Sequence, residues 1–446
     1  MTPLPPGSLG LPVIGETLAF LRAPGAFASS RMERHGRVFK THLLGSPTVF
    51  LVGPEANRWI FAGENRYLVN RWSPGIRRLL GARSVAMLTG DSHRSRRKLL
   101  APHFTLAAAR AFVPRVESIA RAHLARWAER TSPVVLFDDL RSMVFEMAVS
   151  QLVGDAVHVD RARLSRLFEA STAGFFSPIP LAIPGTTFAR ALAATRELHV
   201  MLGELVRARR ALPAGDDVLW ALLGAKDERG AGLTDEELTH ELQLLLFAGH
   251  DTTVTSTSHL LWLLAERPEI VLRAREEQRA LGLPALGLPA LGLPALTLES
   301  LRAMPYLDAI VREGLRHSPP VPGAFRMTTE DCEFAGYRIP RGWTVALGIA
   351  GTHQGSPWTD ADRFDPERFL PPRAEQDREA LAWIPFGGGP RLCVGQHLAM
   401  VEMLTVLAIV LRDYAFTLEP GQDLTVVAIP FPRPKSGVRM RFAPLT

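Results

Sequence analysis

A cysteine close to the carboxyl end of the chain has surroundings that suggest chemistry. Cys393 follows three glycines, a proline and an arginine in the run Phe-Gly-Gly-Gly-Pro-Arg-Leu-Cys-Val-Gly, residues 386–395. Glycine backbones adopt unusual dihedral angles and can approach a bulky, flat ligand closely. The apolar stretch Gln396–Arg412 predicts a helix directly after this loop, and a helix N-terminus stabilises a thiolate through its dipole and its free N–H groups.

The spacing Phe-x-x-Gly-x-Arg-x-Cys-x-Gly disfavours two simpler interpretations of the loop. For a cysteine beside any glycine-rich turn, plain burial would be the preferred interpretation, but this spacing is more specific than that. A phosphate-binding loop is also disfavoured, because no Gly-Lys-Ser/Thr follows. A thiolate ligand donates electron density that favours O–O cleavage at iron, and N–H groups near the sulfur tune that iron. We therefore predict that Cys393 is an iron ligand.

The segment Ala248-Gly-His-Asp-Thr-Thr253 is the second candidate. Gly, Asp and Thr are poor helix formers, yet apolar runs on both sides predict one long helix through this segment. Side-chain hydroxyls that compete for backbone carbonyls can loosen a helix, so we expect a loosened turn with room for a small molecule. Ala248 and Thr252 are four apart and share a face. Taken alone, the segment is equally compatible with a tolerated kink in a core helix.

The elements that must position these residues are mostly helical. Thr234-Asp-Glu-Glu237 resembles a capping box, and the helix that it starts runs towards Pro268, about 33 residues or about 50 Å. From about residue 90 to 267, apolar faces alternate with Arg and Glu at helical spacing. A second, shorter helix is predicted at Pro305–His317.

Strand signals are confined to the two ends of the chain. Val38–Leu44 and Thr48–Val52, separated by Gly-Ser-Pro, predict a hairpin. Phe334–Ala346 and the tail Phe416–Phe442 are also typical of strands. We expect a mainly α fold with a small β subdomain, formed by residues 1–446 as a single domain, because no linker or break in composition divides the chain.

A pentapeptide repeat interrupts this pattern. Gly-Leu-Pro-Ala-Leu occurs three times over residues 282–296. Its period is too short for a solenoid unit, and a proline at every fifth residue excludes a regular helix. We interpret it as an insertion in a surface loop without a function of its own.

Composition excludes several classes of protein. The formal charge is +6, but the basic residues are scattered, which argues against a nucleic-acid-binding tract. Two cysteines, Cys332 and Cys393, make a disulfide framework implausible and fit a reducing cytosol. The N-terminus has neither the pattern of a secretion signal nor that of a transmembrane anchor. We expect a monomeric cytoplasmic protein.

The loop resembles the heme-binding signature of the cytochrome P-450 superfamily, whose fixed positions are all present: Phe386, Gly389, Arg391, Cys393 and Gly395. The resemblance extends over nearly the whole chain and implies the cytochrome P-450 fold, with a long central helix over heme b (iron protoporphyrin IX). It makes Cys393 the proximal ligand, with Phe386 packed beneath it and Arg391 paired with a heme propionate.

The segment in the long helix matches the superfamily pattern Ala/Gly-Gly-x-Asp/Glu-Thr. By this resemblance Ala248 and Gly249 lie against the heme, and Asp251 and Thr252 deliver protons during dioxygen activation, a task suited to an acid and an alcohol. His250 is expected to face away and receives no role.

Further motifs match the same superfamily. Glu313 and Arg316 resemble its Glu-x-x-Arg element, and Arg368 in Asp-Pro-Glu-Arg-Phe completes a partly buried structural network. His93 and Arg97, four apart on one helix, and Arg326 match residues that bind the propionates. Cations suit carboxylates beside an apolar cavity.

Other basic residues near His93 and Arg97 receive different interpretations. Arg94 and Arg96 are expected to be solvated, and Arg94, Lys98 and Arg391 could form a docking face for an electron donor.

Two segments, residues 10–16 and 335–343, look most like those of soluble bacterial relatives of the retinoic-acid hydroxylases. By position in the superfamily, the substrate should contact a set of apolar or aromatic side chains, each of which could equally be plain core. These are Trp72, Val85, Met87, Phe175, Phe176, Ile179, Phe247, Ala324, Ile429 and Phe431. The set implies a hydrophobic substrate bound mainly by desolvation, with Arg66, Arg71 and Arg77 as possible anchors for a carboxylate.

The implied reaction is monooxygenation, in which one atom of O2 enters a hydrophobic molecule such as a retinoid, terpenoid, steroid, fatty acid or polyketide. No flavin or iron–sulfur motif occurs, so electrons from NAD(P)H must arrive through a ferredoxin or a flavodoxin-type donor. Two alternatives remain open: a heme-thiolate isomerase, dehydratase or peroxygenase, and a heme sensor or carrier without turnover.

Overall fold

A computed structural model of the chain describes residues 2–11, 14–154, 157–177, 180–282, 295–429 and 431–445. The protein is 53% helical with small sheets, which confirms the predicted class. Most of the pentapeptide insertion, residues 283–294, lies outside the described residues, as does Ile179. The described chain resumes at Ala295, and the next residue, Leu296, is buried and donates its N–H to Glu117 Oε2 at 2.8 Å.

The α-helices of the described residues are α1 (Thr17–Arg22), α2 (Pro24–His35), α3 (Pro54–Gly63), α4 (Pro74–Leu79), α5 (Gly90–Leu100), α6 (Leu106–Arg110), α7 (Val113–Ala128), α8 (Leu136–Val153), α9 (Arg161–Thr172), α10 (Thr187–Arg210), α11 (Val218–Gly224), α12 (Asp235–Ala265), α13 (Pro268–Ala280), α14 (Leu298–Arg302), α15 (Pro305–His317), α16 (Ile349–His353) and α17 (Gln396–Asp413). Short 3-10 helices occupy Ala101–Phe104, Pro366–Phe369, Glu375–Asp377 and Gly389–Arg391.

The strands of the described residues are β1 (Val38–Leu43), β2 (Ser46–Leu51), β3 (Leu68–Asn70), β4 (Val134–Val135), β5 (Gly323–Thr328), β6 (Cys332–Phe334), β7 (Tyr337–Ile339), β8 (Thr344–Gly348), β9 (Tyr414–Leu418), β10 (Val426–Val427), β11 (Arg433–Pro434) and β12 (Arg439–Pro444).

The chain divides into two compact units, here called unit 1 and unit 2. Unit 1 consists of Met1–Arg71, Asp308–Cys393 and Val426–Arg433. Its five-stranded sheet has the order β1-β2-β8-β5-β3, parallel between β2 and β8 and antiparallel at the other pairs. β-Branched and aliphatic side chains of β2 and β8 pack on α3 and form the core of this unit.

The predicted hairpin is present, but its turn is one residue earlier than the sequence suggested. Leu44 and Gly45, at φ of 51° and 76°, link β1 to β2, and Ser46 and Pro47 already belong to the strand. Two consecutive residues with positive φ match the twist of a two-residue hairpin.

Unit 2 consists of Trp72–Leu307, Val394–Thr425 and Pro434–Thr446. It is built around α12, which packs against α8, α10 and α17, while α17 also packs against α7. Unit 2 also contains a three-stranded sheet with the order β4-β12-β9. Most residues of α12 are buried, and many of the buried ones, such as Gln243, Thr255 and Ser258, are polar.

α12 begins at the predicted capping box, where Thr234 and Glu237 satisfy each other's backbone N–H groups. The expected loosened turn is absent, because α12 is continuous from Asp235 to Ala265. Thr252 Oγ1 donates to the Ala248 carbonyl at 2.7 Å, so the hydroxyl shares that acceptor without breaking the helix. Among the residues that the structure describes, no helix is long and apolar enough to span a membrane.

Candidate active site

Cys393 lies in an exposed loop between a 3-10 turn and α17. Its N–H donates to the Phe386 carbonyl at 2.9 Å, which closes the loop on itself. Gly395 is the N-cap of α17, so the thiol stands just before a helix N-terminus. A thiolate there is stabilised by the helix dipole.

The glycines of this loop are required by geometry. Gly387 and Gly389 have φ of 71° and 62°, a region that side-chain-bearing residues rarely adopt. A Cβ atom on Gly388 or Gly389 would lie 2.4 or 2.8 Å from the nearest atom of Phe61. The loop can therefore pack flat on the end of α3 only with glycine at these positions.

α17 and α12 each carry a surface that a large apolar group could cover. In α17, residues 396–400 are only half-buried although several are apolar, whereas Val401–Asp413 are buried. In α12, Ala248 and Gly249 are exposed and Thr252 is half-buried, within a helix that is otherwise mainly buried. An exposed thiol and small, accessible helix residues are the features that a thiolate-ligated heme needs, and the residues present fit that group.

Arg326 and Arg391, both expected to bind propionates, share one carboxylate that the sequence did not reveal. Arg391 Nε donates to Glu64 Oε1 at 2.6 Å, and Arg326 Nε donates to Glu64 Oε2. Arg326 Nη1 also donates to Asn70 Oδ1 at 3.2 Å. Burial lowers the pKa of Arg391 although the ion pair with Glu64 opposes this. Two guanidinium groups against one carboxylate leave a net positive charge that propionates could balance.

α5 carries the other two predicted propionate partners on one face. His93 is buried and Arg97 is half-buried. Arg94 is exposed and pairs with Asp91, as expected of a solvated residue. The expectation for Arg96 is wrong: it is buried, because α12 supplies carboxylates that neutralise it.

Asp251 is buried on α12 with two basic neighbours. Its Oδ1 lies 3.4 Å from Arg141 Nη2 and 3.1 Å from His250 Nδ1. Burial raises the pKa of Asp251, but His250 and Arg141 outweigh that effect, and the pKa is lowered overall. The carboxylate is therefore ionised at neutral pH. From the sequence, His250 received no role. Its ring lies against Phe145 and Phe168, with Nδ1 beside Asp251.

A further buried acid, Glu402 of α17, was not singled out from the sequence. It accepts hydrogen bonds from Gln151 Nε2 at 3.0 Å and from Thr253 Oγ1 at 3.3 Å. Complete burial raises its pKa to about 7. Glu402 is thus poised to titrate near neutrality next to the Asp-Thr-Thr segment of α12.

Glu313, Arg316 and Arg368 form a network that is fully buried, not partly buried as expected. Arg316 pairs with both oxygens of Glu313 at 2.7 and 2.9 Å, and Arg368 Nε donates to Glu313 Oε1 at 3.1 Å. Arg368 also reaches Glu375 Oε2 at 2.9 Å and the Thr359 carbonyl at 2.7 Å. Carbonyl groups of the polar segment after α16 satisfy the guanidinium groups, so solvent is not needed.

Several of the predicted substrate contacts belong to unit 2, where they form two groups. Trp72 Nε1 donates to the Ala86 carbonyl at 2.9 Å, between the buried Val85 and the half-buried Met87. The ring centroids of Phe175 and Phe247 are 4.7 Å apart.

The remaining predicted contacts differ from one another in their exposure to solvent. In unit 1, Ala324 and Ile429 are half-buried and Phe431 is buried. Phe176, in unit 2, is 43% exposed.

The loop that carries Val85 and Met87, residues 79–88, is held by side chains of α12. The N–H groups of Gly81, Arg83 and Val85 donate to Gln243 Oε1 at 3.0 Å, His240 Nδ1 at 3.2 Å and Glu241 Oε1 at 2.8 Å, respectively. Arg96 Nη1 donates both to Glu241 at 2.7 Å and to the Arg83 carbonyl at 2.8 Å. Burial lowers the pKa of His240 to about 4 and raises that of Glu241 to about 7. We call this set the loop clamp.

Comparison with known proteins gives a consistent result. A family model for cytochrome P-450 matches residues 5–439. Cytochrome P-450 120 of Synechocystis sp. is 36% identical over 441 residues, 98% of this chain and 96% of that protein. Cytochrome P-450 26B1 of Mus musculus is 33% identical over 446 residues, 99% of this chain and 86% of that protein.

Solved structures agree. A structure described as retinoic acid bound cyanobacterial CYP120A1 has a TM-score of 0.90 and 36% identity, and the match covers 100% of both chains. The heme domain of cytochrome P-450DA, at 22% identity and a TM-score of 0.85, covers 100% of this chain and 98% of that one and supports the fold alone. The signature loop, the fold and the relatives agree, and the chain belongs to the cytochrome P-450 family of heme monooxygenases.

Proposed function

We propose that this protein uses O2 to hydroxylate or epoxidise a hydrophobic carboxylic acid of the retinoid or fatty-acid type, with electrons from NAD(P)H through a separate ferredoxin or flavodoxin-type donor. The observation that carries the proposal is the exposed thiol of Cys393 in a chain that also keeps the Asp251–Thr252 pair on a small-residue stretch of its long helix.

Each predicted site residue has a task in this proposal. Heme, when bound, supplies the activation of dioxygen. Cys393 binds the iron, while Arg326, Arg391, His93 and Arg97 balance the propionates.

The site residues of α12 have two tasks in this proposal, which are to leave space and to transfer a proton. Ala248 and Gly249 leave room above α12, Thr252 Oγ1 can hold a water by its hydroxyl, and Asp251 Oδ1 passes a proton. Glu313, Arg316 and Arg368 keep the segment before the cysteine loop in place.

An apolar acid is favoured over a neutral hydrocarbon by Arg71. This residue is half-buried in unit 1, its N–H donates to the Phe325 carbonyl at 3.2 Å, and burial lowers the pKa of its guanidinium. Among the residues that the structure describes, no carboxylate is paired with Arg71, so a substrate carboxylate could take that place. The bound retinoic acid of the cyanobacterial relative supports the same class.

The electron donor is proposed to dock near the basic side chains of α5. Arg94 and Lys98 are both exposed, but each already pairs with an acid, Asp91 and Glu228 respectively. Exposed pairs of this kind are weak, so an acidic donor could displace them. Charge reversal at Lys98 should slow reduction and weaken its salt dependence without loss of heme. An unchanged reduction rate would exclude this face.

The proposal is tested in two steps on the heme-loaded protein. Titration with all-trans retinoic acid, a C16 fatty acid, a terpene alcohol and a steroid is followed by the heme absorption spectrum. We expect the two acids to shift the heme absorption spectrum at lower concentration than the neutral compounds, and Arg71→Leu to remove that preference. Product formation is then measured with NADPH, a surrogate ferredoxin and its reductase.

The same experiment separates the alternatives. Product formed with hydrogen peroxide but not with NADPH and the donor, and unaffected by Thr252→Ala, would indicate a peroxygenase. A rearranged product formed with neither peroxide nor NADPH would indicate an isomerase. Binding without NADPH-dependent product, for every compound tried, would indicate a sensor or carrier. Cys393→Ala should abolish the red-shifted ferrous–carbonyl band, and retention of that band would exclude a thiolate ligand at this position.

A further inference from the structure

The contacts of the buried His250 ring indicate which of its two nitrogens carry a hydrogen. His250 is buried, and its Nε2 lies 3.0 Å from the Arg141 carbonyl oxygen. The rings of Phe145 and Phe168 lie 5.9 and 5.4 Å away at nearly right angles, so they exclude water without offering a polar partner. Because a carbonyl oxygen only accepts, Nε2 must carry a hydrogen.

The other ring nitrogen faces a second acceptor. His250 Nδ1 lies 3.1 Å from Asp251 Oδ1. With Nε2 protonated, a neutral imidazole would present the lone pair of Nδ1 to a carboxylate oxygen, and two buried acceptors at that distance repel each other. Within the described part of the chain, no other group forms a hydrogen bond of suitable geometry with either atom. A single proton between Nδ1 and Oδ1 removes the conflict.

Exchanging the ring orientation does not remove the need for this proton. Both nitrogens already face oxygen atoms, and a flipped ring would place carbon atoms there. Arg141, whose Nη2 lies 3.4 Å from the same Asp251 oxygen, keeps the carboxylate charged and favours the proton on the histidine. The pair plus Arg141 then consists of two cations and one anion on α8 and α12.

We propose that His250 and Asp251 share one transferable proton and that His250 is a positioning residue that returns it to Asp251 Oδ1. The transfer breaks the Nδ1–H bond and forms an O–H bond, leaving a neutral imidazole and a neutral carboxyl, so no other reactant is required. The shared proton follows from the geometry alone, whereas its use in turnover rests on the proposed function.

The protonation state can be measured directly. The heme-loaded protein, in its diamagnetic ferrous carbon-monoxide form with 15N-labelled histidine, is followed by NMR from pH 5.5 to 8.5. We expect a hydrogen on both ring nitrogens of His250, because each faces an oxygen atom that can accept it. In Asp251→Asn, the Nδ1 signal should change to that of a nitrogen without a hydrogen. A His250 protonated only at Nε2 throughout, and unaffected by Asp251→Asn, would overturn the proposal.

The use of the proton is tested by two substitutions at His250. His250→Gln keeps a donor for the Arg141 carbonyl but holds no mobile proton, whereas His250→Phe also removes the donor. We expect product per NADPH to fall roughly tenfold in both, less than the loss of about 10²–10⁴-fold for a group that transfers the proton to substrate itself, because His250 acts through Asp251. The pH profile of coupling should flatten near neutrality, an effect that a purely structural role would not produce.

A matched control is available on the same helix. His259 is also buried, with Nδ1 near the Thr255 carbonyl at 2.8 Å and its ring centroid 5.8 Å from that of Trp262. His259→Phe should leave coupling and its pH profile unchanged. If His250→Gln couples as well as the unsubstituted protein at every pH, the relay is excluded. Failure of every variant and of the unsubstituted protein to form product would contradict the proposed function instead, and the NMR result would still decide the shared proton.

Discussion

Glu64 pairs with both the buried Arg326 of β5 and the half-buried Arg391 of the cysteine loop. Breaking a buried ion pair leaves an uncompensated charge, at a cost of about 3–5 kcal/mol. We predict that Glu64→Leu lowers the free energy of unfolding of the heme-free protein by about that amount. The loss should be smaller in the heme-loaded protein, because propionates can neutralise Arg326 and Arg391. Urea unfolding of both forms measures the difference.

Glu55, exposed on α3, provides the comparison. Glu55→Leu should change the free energy of unfolding by less than about 0.5 kcal/mol in either form. An equal loss with and without heme for Glu64→Leu would contradict the assignment of these arginines to the propionates.

Glu402 predicts a pH dependence of stability with a definite sign. In the unfolded chain this acid loses its proton near 4.5, whereas in the folded protein it keeps the proton until about 7. The unfolded state therefore binds fewer protons between these values, and the free energy of unfolding should fall by about 3 kcal/mol from pH 4.5 to 7 at this site. Glu402→Gln should remove that component, as measured by urea unfolding between pH 5 and 8, while Glu55→Gln should not. A slope that persists in Glu402→Gln would exclude this acid as its source.

Single residues could be predicted from the sequence wherever a motif carried them. Cys393 and the Asp251–Thr252 pair belong to contiguous patterns, and Glu313 and Arg316 are neighbours on one helix. Glu64 could not be found, because its partner Arg326 is 262 positions away and nothing local marks the pair. Arg141 and Glu402 were missed for the same reason, since burial and tertiary packing create their roles.

At the scale of elements, the loop clamp connects α12 to the 79–88 loop. Gln243→Leu should leave the Gly81 N–H without its acceptor, at a cost of about 1–3 kcal/mol. We predict faster amide hydrogen exchange throughout residues 79–88 and weaker binding of hydrophobic ligands. The matched change Glu266→Gln, at the exposed C-cap of the same helix, should alter neither. Unchanged exchange at Gly81 in Gln243→Leu would exclude the clamp.

Helical periodicity and capping predicted α12, α15 and α17 closely, because those signals are local. The loosened turn in α12 was wrong, since a helix buried by several neighbours tolerates Gly and Thr without opening. Arg96 was misjudged because the charge pattern of α5 alone looks like a solvated face. Its two carboxylate partners, Glu237 and Glu241, belong to α12.

At the scale of the whole molecule, the chain passes between units 1 and 2 five times, after Arg71, Leu307, Cys393, Thr425 and Arg433. Neither unit is a continuous stretch of sequence, so a composition break could not have marked a boundary. We predict one cooperative unfolding transition, with equal calorimetric and van't Hoff enthalpies. Two resolved transitions for the heme-free protein in scanning calorimetry would show that the units unfold independently.

The hydrogen bond from Leu296 to Glu117 has an evolutionary consequence. Because Leu296 is buried and bonded to a side chain of α7, it fixes the point from which the chain continues to α14 and α15. A change in the number of repeats before Leu296 therefore leaves the positions of α14 and α15 unchanged. If the repeat is the surface-loop insertion that the sequence predicts, its closure entropy changes only slowly with length, by about 0.6 kcal/mol for each doubling. Genes that encode two, four or five copies of the pentapeptide should then be equally viable, and the copy number would drift as a neutral genetic marker.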